Sequence, residues 1–296
     1  GRIMLKISHV TKSYGEKKAV DDLSLHIQPG EIYGFIGHNG AGKTTTLKSV
    51  VGILQFDQGE IYIDGKSIKE DPLGCKRETA YIPDNPDLYE YMTGIQYLNF
   101  IADIFGVDAD ERLKDIRKYA DRFELTQDLA QPIGAYSHGM KQKLAIIAAW
   151  LHHPRLIIMD EPFVGLDPKA AHLLKEMMHQ VCDGGSAIFF STHVLEVAEK
   201  LCDKVAIIKG GQLISSGTME EVKGDDSLED VFLELTESEE AEHPQEENGE
   251  ESALADLCEE DTESESESET SLSDTDDGGD FSVAEEREED ENESHI

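Results

Sequence analysis

The stretch GFIGHNGAGKTTTLKSV, residues 34–50, decides the fold. It places Gly37, Gly40 and Gly42, then Lys43 and three threonines, between two apolar flanks, directly after EIYGFI, which reads as a buried strand. Glycine weakens strand and helix alike. Such a run is therefore either a turn that needs glycine or a loop whose amides must approach a small anion. The spacing Gly37-x-x-x-x-Gly42-Lys43-Thr44, after a strand and opening a helix, is that of a phosphate-binding loop. Loop amides and the helix N-terminus then form an anion-binding concavity. Lys43 brings a mobile positive charge to the β- and γ-phosphates, and the Thr44 hydroxyl is a ligand for Mg²⁺.

The chain has 296 residues and a formal net charge of -37, from 63 acidic and 26 basic residues. That charge is uneven. Residues 237–296 hold 27 acids against one base, Arg287, and include TESESESETSLSDTDDGGD and EEREEDENES. Low in aromatic and branched aliphatic residues, this stretch cannot bury enough surface to fold. It reads as a disordered acidic tail, either a solvated extension or a docking segment for a basic surface. The 236 residues before it carry a net charge of only -11 and alternate apolar and polar segments with turn signals. Four scattered cysteines, with no CxxC pair, point to packing roles in a reducing compartment. The opening GRIMLKISHV reads as a strand rather than a signal peptide. The longest apolar run, LAIIAAWL at 144–151, is far short of the ~18 residues a bilayer crossing needs. A soluble chain with no transmembrane segment of its own is expected.

Residues 2–36 read as strands joined by turns at Gly15 and Pro29-Gly30. The glycine loop enters a helix ending near Gly52, and GEIYIDG (59–65) is a further strand. From Thr93 to about Trp150 the pattern is helical, and strands resume with RLIIMDEP (155–162) and SAIFFSTH (186–193). The expected fold is α/β: a P-loop NTPase core with an antiparallel β edge and an inserted helical subdomain at about 85–150, spanning residues 4–236. In LIIMDE, four apolar residues end in two carboxylates at the carboxyl end of a buried strand, where open α/β sheets bind ligands. Asp160 is therefore expected to face Mg²⁺ beside Thr44, with Glu161 placed to orient or deprotonate a water. An Asp-Glu pair after a strand also serves as a helix cap; the loop upstream weighs for the site.

These motifs together resemble the nucleotide-binding subunit of an ATP-binding-cassette (ABC) transporter, in the family's order and across residues 4–236. GHNGAGKTT is similar to the Walker A loop, LIIMDEP to the Walker B strand, and YSHGMKQK (136–143) to the signature motif. GLDP (165–168) is similar to the D-loop, STHVLEVAEKLCD contains the switch histidine His193, and KSYG contains the adenine-stacking Tyr14. The resemblance implies ATP and Mg²⁺ as cofactors. Tyr14 and the loop residues Gly37, His38, Asn39, Gly40, Ala41, Gly42, Lys43, Thr44 and Thr45 would bind the nucleotide. Ser137, Gly139 and Met140 of the signature helix, with Asp167, would reach the nucleotide of a second cassette paired head to tail, as homodimer or paralogue. Glu161, His193 and Lys43 are the implied catalytic residues, and Thr44, Asp160 and Asp84 the implied metal site.

Two departures stand out. The signature's second glycine is His138, and the glutamine usual after the phosphate loop is Asp84, one carbon shorter and charged. Neither removes Lys43, Asp160 or Glu161, so an active ATPase is expected. The segments YIPDNPDLYEYMTGIQYLNFIADIFG and SLEDVFLELTE resemble bacterial export-type cassettes, in which a separate permease chain spans the membrane. The expectation is an exporter ATPase peripheral to the cytoplasmic face of the cell membrane, with a permease partner and no nucleic acid. A soluble non-transport cassette, as in iron–sulfur assembly, and an importer ATPase remain the alternatives. The 93 residues between Lys43 and Ser137 carry no sustained heptads, unlike the coiled-coil DNA-maintenance cassettes.

Overall fold

The computed structural model describes residues 1–237. The sequence expectation for the acidic tail lies, Glu237 apart, outside the described residues. A six-stranded sheet forms the core, in the order β10-β9-β3-β8-β7-β6. Here β3 is Ile32–Ile36, β6 Thr79–Ile82, β7 Leu156–Asp160, β8 Ala187–Thr192, β9 Lys204–Lys209 and β10 Gln212–Thr218. All neighbours pair parallel except the antiparallel edge strand β10. A second, antiparallel sheet orders β2 (Lys17–Ile27), β1 (Leu5–Tyr14), β4 (Gln58–Ile63) and β5 (Lys66–Ser67).

The strand sequences explain the layering. Every residue of β3, β7 and β8 is buried, as expected of parallel strands covered on both faces. Their side chains alternate between two apolar cores, with the period of two that a strand imposes. Ile32, Ile36, Ile157, Met159, Ile188 and Phe190 join the core under the helices. Tyr33, Phe35, Leu156, Ile158, Ala187 and Phe189 join the core shared with the antiparallel sheet. The Phe35 and Phe189 rings meet there with centroids 5.2 Å apart. Each fully buried side chain of this size contributes about 2–3 kcal/mol.

Helix α1 (Lys43–Val50) follows the glycine loop, and α2 (Pro72–Glu78) precedes β6. The helical pattern of residues 93–150 is three helices: α3 (Gly94–Ile104), α4 (Ala109–Arg122) and α5 (His138–Trp150). Each break has a local cause. Gly106 adopts φ 64, Glu124 adopts φ 58, and Pro132 opens a short 3₁₀ turn. Each start is capped: Thr93 and Gln96 form a capping box on α3, Asp108 caps α4 and Ser137 caps α5. Helices α6 (Pro168–Asp183), α7 (Leu195–Leu201), α8 (Met219–Lys223) and α9 (Leu228–Glu237) complete the described chain. No helix among the described residues is long and apolar enough to cross a membrane.

Candidate functional site

The three loop glycines are required for three separate reasons. Gly42 holds φ 107, and a Cβ there would lie 2.3 Å from the Ala19 carbonyl. A Cβ on Gly37 would lie 2.6 Å from the Ile208 carbonyl, so this position is fixed by close approach to β9. Gly40 holds φ 84 with open space around it, which leaves its backbone bare to the solvent side. Gly42 itself is the N-cap of α1 and no side chain caps this helix, so its first-turn amides are left for an external acceptor. Gly210 and Gly211, the tip of the β9–β10 hairpin, seal the loop from behind: the Gly211 amide donates to Ala41 O at 2.9 Å.

Lys43 is only 6% exposed. Its Nζ donates to Gly37 O at 2.5 Å and stands 3.7 Å from Glu161 Oε1. Burial lowers its pKa, and the charges of Glu161 and Asp160 oppose that shift. Thr44 Oγ1 donates to Asp160 Oδ2 at 2.6 Å, while the buried Ser191 hydroxyl donates to Asp160 Oδ1. The same Ser191 accepts the Glu161 amide through its hydroxyl, at 3.2 Å, and through its carbonyl, at 3.1 Å. Glu161 adopts φ 48 directly after β7, and Oε1 sits 2.7 Å from His193 Nδ1. The helix-cap alternative for this pair falls away, because Asp167 is the cap of α6.

Lys43, Thr44, Asp160 and Glu161 line a cavity of about 410 Å³, with Ser191 and His193 bonded to its wall residues. Its walls include Tyr14, Asn39, Gly40, Gly42, Lys43, Thr44, Thr45, Asp84, Asp160 and Glu161, all expected from the sequence. They also include Lys17, Lys18, Ala19 and the Gly210–Gly211 hairpin tip, which were not. The signal for the hairpin was the KGGQ run, and for Ser191 a hydroxyl following the apolar run AIFF in β8. The Tyr14 ring is half exposed, with Lys12 Nζ 5.1 Å from its centre. His38 turns away from the cavity and meets Phe232 of α9, ring centroids 4.9 Å apart.

Ser137, Gly139, Met140 and Asp167 do not line the cavity. Ser137, Gly139 and Met140 sit at the N-terminus of α5, and Asp167 at that of α6, where it meets Lys143 of α5. The Ser137 hydroxyl accepts the Met140 amide at 3.2 Å, so that amide is already engaged within the chain. His138 is accommodated by Gly165, whose missing Cβ would lie 2.4 Å from the imidazole. Asp167 accepts the Ala170 amide at 2.8 Å and lies 3.5 Å from Lys143 Nζ.

Asp84 shares the cavity with Thr44 and Asp160, and its Oδ1 accepts the Asn85 amide at 2.9 Å. Asp84→Gln is expected to change the ATPase rate by less than about 1 kcal/mol, roughly fivefold, if the carboxylate acts only through a bridging water. Steady-state phosphate release measured across a Mg²⁺ titration checks this. Complete loss of activity would instead make Asp84 a direct metal ligand.

The arrangement of a glycine cradle, a buried lysine, paired hydroxyl and carboxylate oxygens, and a histidine-tethered glutamate is suited to binding and hydrolysing a nucleoside triphosphate. Comparison with known proteins agrees. The family model described as ABC transporter matches residues 20–164. The ABC-type transporter ATP-binding protein EcsA of Bacillus subtilis is 36% identical over 238 residues, 79% of this chain and 96% of that protein. The linearmycin resistance ATP-binding protein LnrL of the same organism is 34% identical over 215 residues, 73% of this chain and 69% of that protein. A solved structure of an ATP-binding subunit of an ABC transporter superposes with a TM-score of 0.76 at 34% identity. It covers 79% of this chain and 99% of its own.

Proposed function

The chain belongs to the ABC transporter family as an ATP-hydrolysing cassette, and from that premise we propose that it powers an exporter whose membrane-spanning permease is a separate chain. Two cassettes pair head to tail at the cytoplasmic face of the membrane. The observation that carries the pairing is the division of the site: the cavity holds Lys43, Asp160 and Glu161, while the uncovered N-terminus of α5, with Ser137 and Gly139, faces elsewhere. A second copy brings that helix end to the phosphates.

The residues fit ATP and Mg²⁺. The first-turn amides of α1 have no side-chain cap, and the hard oxygens of Thr44 and Asp160 already converge at 2.6 Å. Bound ATP and Mg²⁺ supply the phosphoanhydride bond and the charge neutralisation for its cleavage. Thr44 and Asp160 would hold the metal, with Asp84 reaching it through water. Lys43 Nζ, which donates to Gly37 O here, would hold the β- and γ-phosphate oxygens. Glu161 would take the proton of the attacking water on its carboxylate, which His193 Nδ1 holds at 2.7 Å, and the ring's other nitrogen, Nε2, would be left for the γ-phosphate.

For the permease, a groove of about 340 Å³ lies between Ile53, the Tyr97–Phe105 face of α3 and Ala145–Ala149 of α5. It continues into exposed aromatics, since Tyr97 packs against Tyr89, which also touches Tyr91 and Phe100. Tyr91 is 79% exposed. Such a surface suits an apolar-faced cytoplasmic segment of a membrane protein. LnrL, by name a linearmycin resistance protein, favours export over import. Tyr91→Ser combined with Phe100→Ser is expected to leave the ATPase of the isolated chain within about twofold, as surface changes do. It is expected to abolish co-purification with a multi-span membrane protein from detergent-solubilised membranes. Absence of any such partner for the parent chain would overturn the transporter reading.

A further inference from the structure

Three donor atoms converge away from the nucleotide cavity, between α4 and the turn leaving α5. Glu111 and Asp115 are four residues apart on α4 and so share one helix face. His153, held at φ 51 in the turn before β7, points its ring at both. Its Nε2 lies 3.0 Å from Glu111 Oε1 and 3.1 Å from Asp115 Oδ2, and all three donors fall within 4.8 Å of one another. Asp115 is only 9% exposed, yet its Oδ2 has no hydrogen-bond partner and faces this cluster. A desolvated carboxylate oxygen without a hydrogen bond is costly unless a positive charge meets it.

A protonated His153 answers this poorly. Its single Nε2–H cannot point along two lines at once, and Asp115 Oδ2 is left without a hydrogen bond. A metal ion has no such limit. With Zn–N and Zn–O bonds of ~2.0–2.2 Å at tetrahedral angles, neighbouring donors in one coordination sphere sit ~3.3–3.6 Å apart. The separations of 3.0 and 3.1 Å lie a few tenths of an ångström below that spacing, within reach of small rotations of the exposed Glu111 and His153 side chains. An imidazole with two carboxylates selects a borderline metal of the Zn²⁺ class, whereas Mg²⁺ and Ca²⁺ prefer oxygen alone.

We propose that Glu111, Asp115 and His153 form a Zn²⁺-class site, completed by water, that clamps α4 to the turn between α5 and β7. This is distinct from the oxygen-only metal position at Thr44 and Asp160, and it does not depend on nucleotide. Its ligands come from two separate segments, so the metal ties together parts of the chain that are otherwise held by packing.

The test uses the full chain, free of affinity tag, stripped of metal and nucleotide, with Zn²⁺ as the probe. Zn²⁺ at about a hundredfold over its dissociation constant is expected to raise the melting temperature by about 5 °C or more. Equilibrium dialysis is expected to show one equivalent of Zn²⁺ lost in Asp115→Asn and in His153→Asn. Asparagine suits the left-handed backbone at 153. Should Asp115→Asn fail to fold, Glu111→Gln, at an exposed position, carries the same comparison. The acidic residues beyond 237 and Cys258 also offer ligands, but they are common to parent and variants, so the difference isolates the cluster. No thermal shift in the parent, or equal Zn²⁺ uptake by parent and variants, would overturn the site.

Discussion

Lys43→Ala is expected to weaken ATP binding by roughly 30- to 10³-fold and to reduce hydrolysis with it. Lys43 is the buried cation of the cavity, 2.5 Å from Gly37 O and 3.7 Å from Glu161. A charge-assisted hydrogen bond contributes ~1.5–3 kcal/mol, and two unit charges 4 Å apart contribute ~4 kcal/mol at an effective dielectric constant of 20. Together these support a loss of about 2–4 kcal/mol, and each 1.4 kcal/mol is a factor of about ten. The substitution also leaves Asp160 and Glu161 close together with less positive charge to offset them. Isothermal titration with a non-hydrolysable ATP analogue gives the affinity, and circular dichroism confirms the fold. Retention of parental affinity by a folded Lys43→Ala chain would remove the lysine from the phosphate site.

The sequence made the β3–loop–α1 unit and the β7 strand legible because their physics is local. A wholly apolar run can only be a buried element, and Gly37 and Gly42 stand where any side chain would collide with a backbone carbonyl. What stayed hidden was non-local. Ser191 reads as one of two polar residues closing AIFFST, and only the β7–β8 register, with Asp160 opposite Ser191, turns it into a partner of the Asp160 carboxylate and the Glu161 amide. The Gly210–Gly211 tip reads as a hairpin turn anywhere. Its contact with the phosphate loop depends on β9 lying beside β3. The three helices between 93 and 150 were legible from their apolar spacing, whereas the left-handed backbone of Glu124 after α4 is one its residue type does not advertise. His138, unexpected in its motif, is explained by Gly165 across the turn, again a contact between separate segments.

Glu161→Gln is the second large effect expected, and it separates binding from chemistry. Glutamine keeps the size and most of the hydrogen bonding of glutamate, including an oxygen or amide for His193 Nδ1, now at 2.7 Å from Oε1. It cannot accept a proton from water. Lys43, Thr44, Asp160 and the supporting Ser191 are untouched, so ATP affinity is expected to stay near the parental value. Hydrolysis is expected to fall by ~10²-fold or more, the scale of a lost general base. With cleavage blocked, the γ-phosphate stays between the phosphate loop of one cassette and the α5 N-terminus of its partner, and the head-to-tail dimer accumulates. Mass photometry with ATP and Mg²⁺, run beside phosphate release on the variant and its parent, reads both consequences. Hydrolysis at the parental rate would reduce Glu161 to a residue of the turn after β7. A variant that binds ATP, fails to hydrolyse it and stays monomeric would preserve the general base and overturn the pairing, because nothing else in the proposal brings Ser137 to a nucleotide.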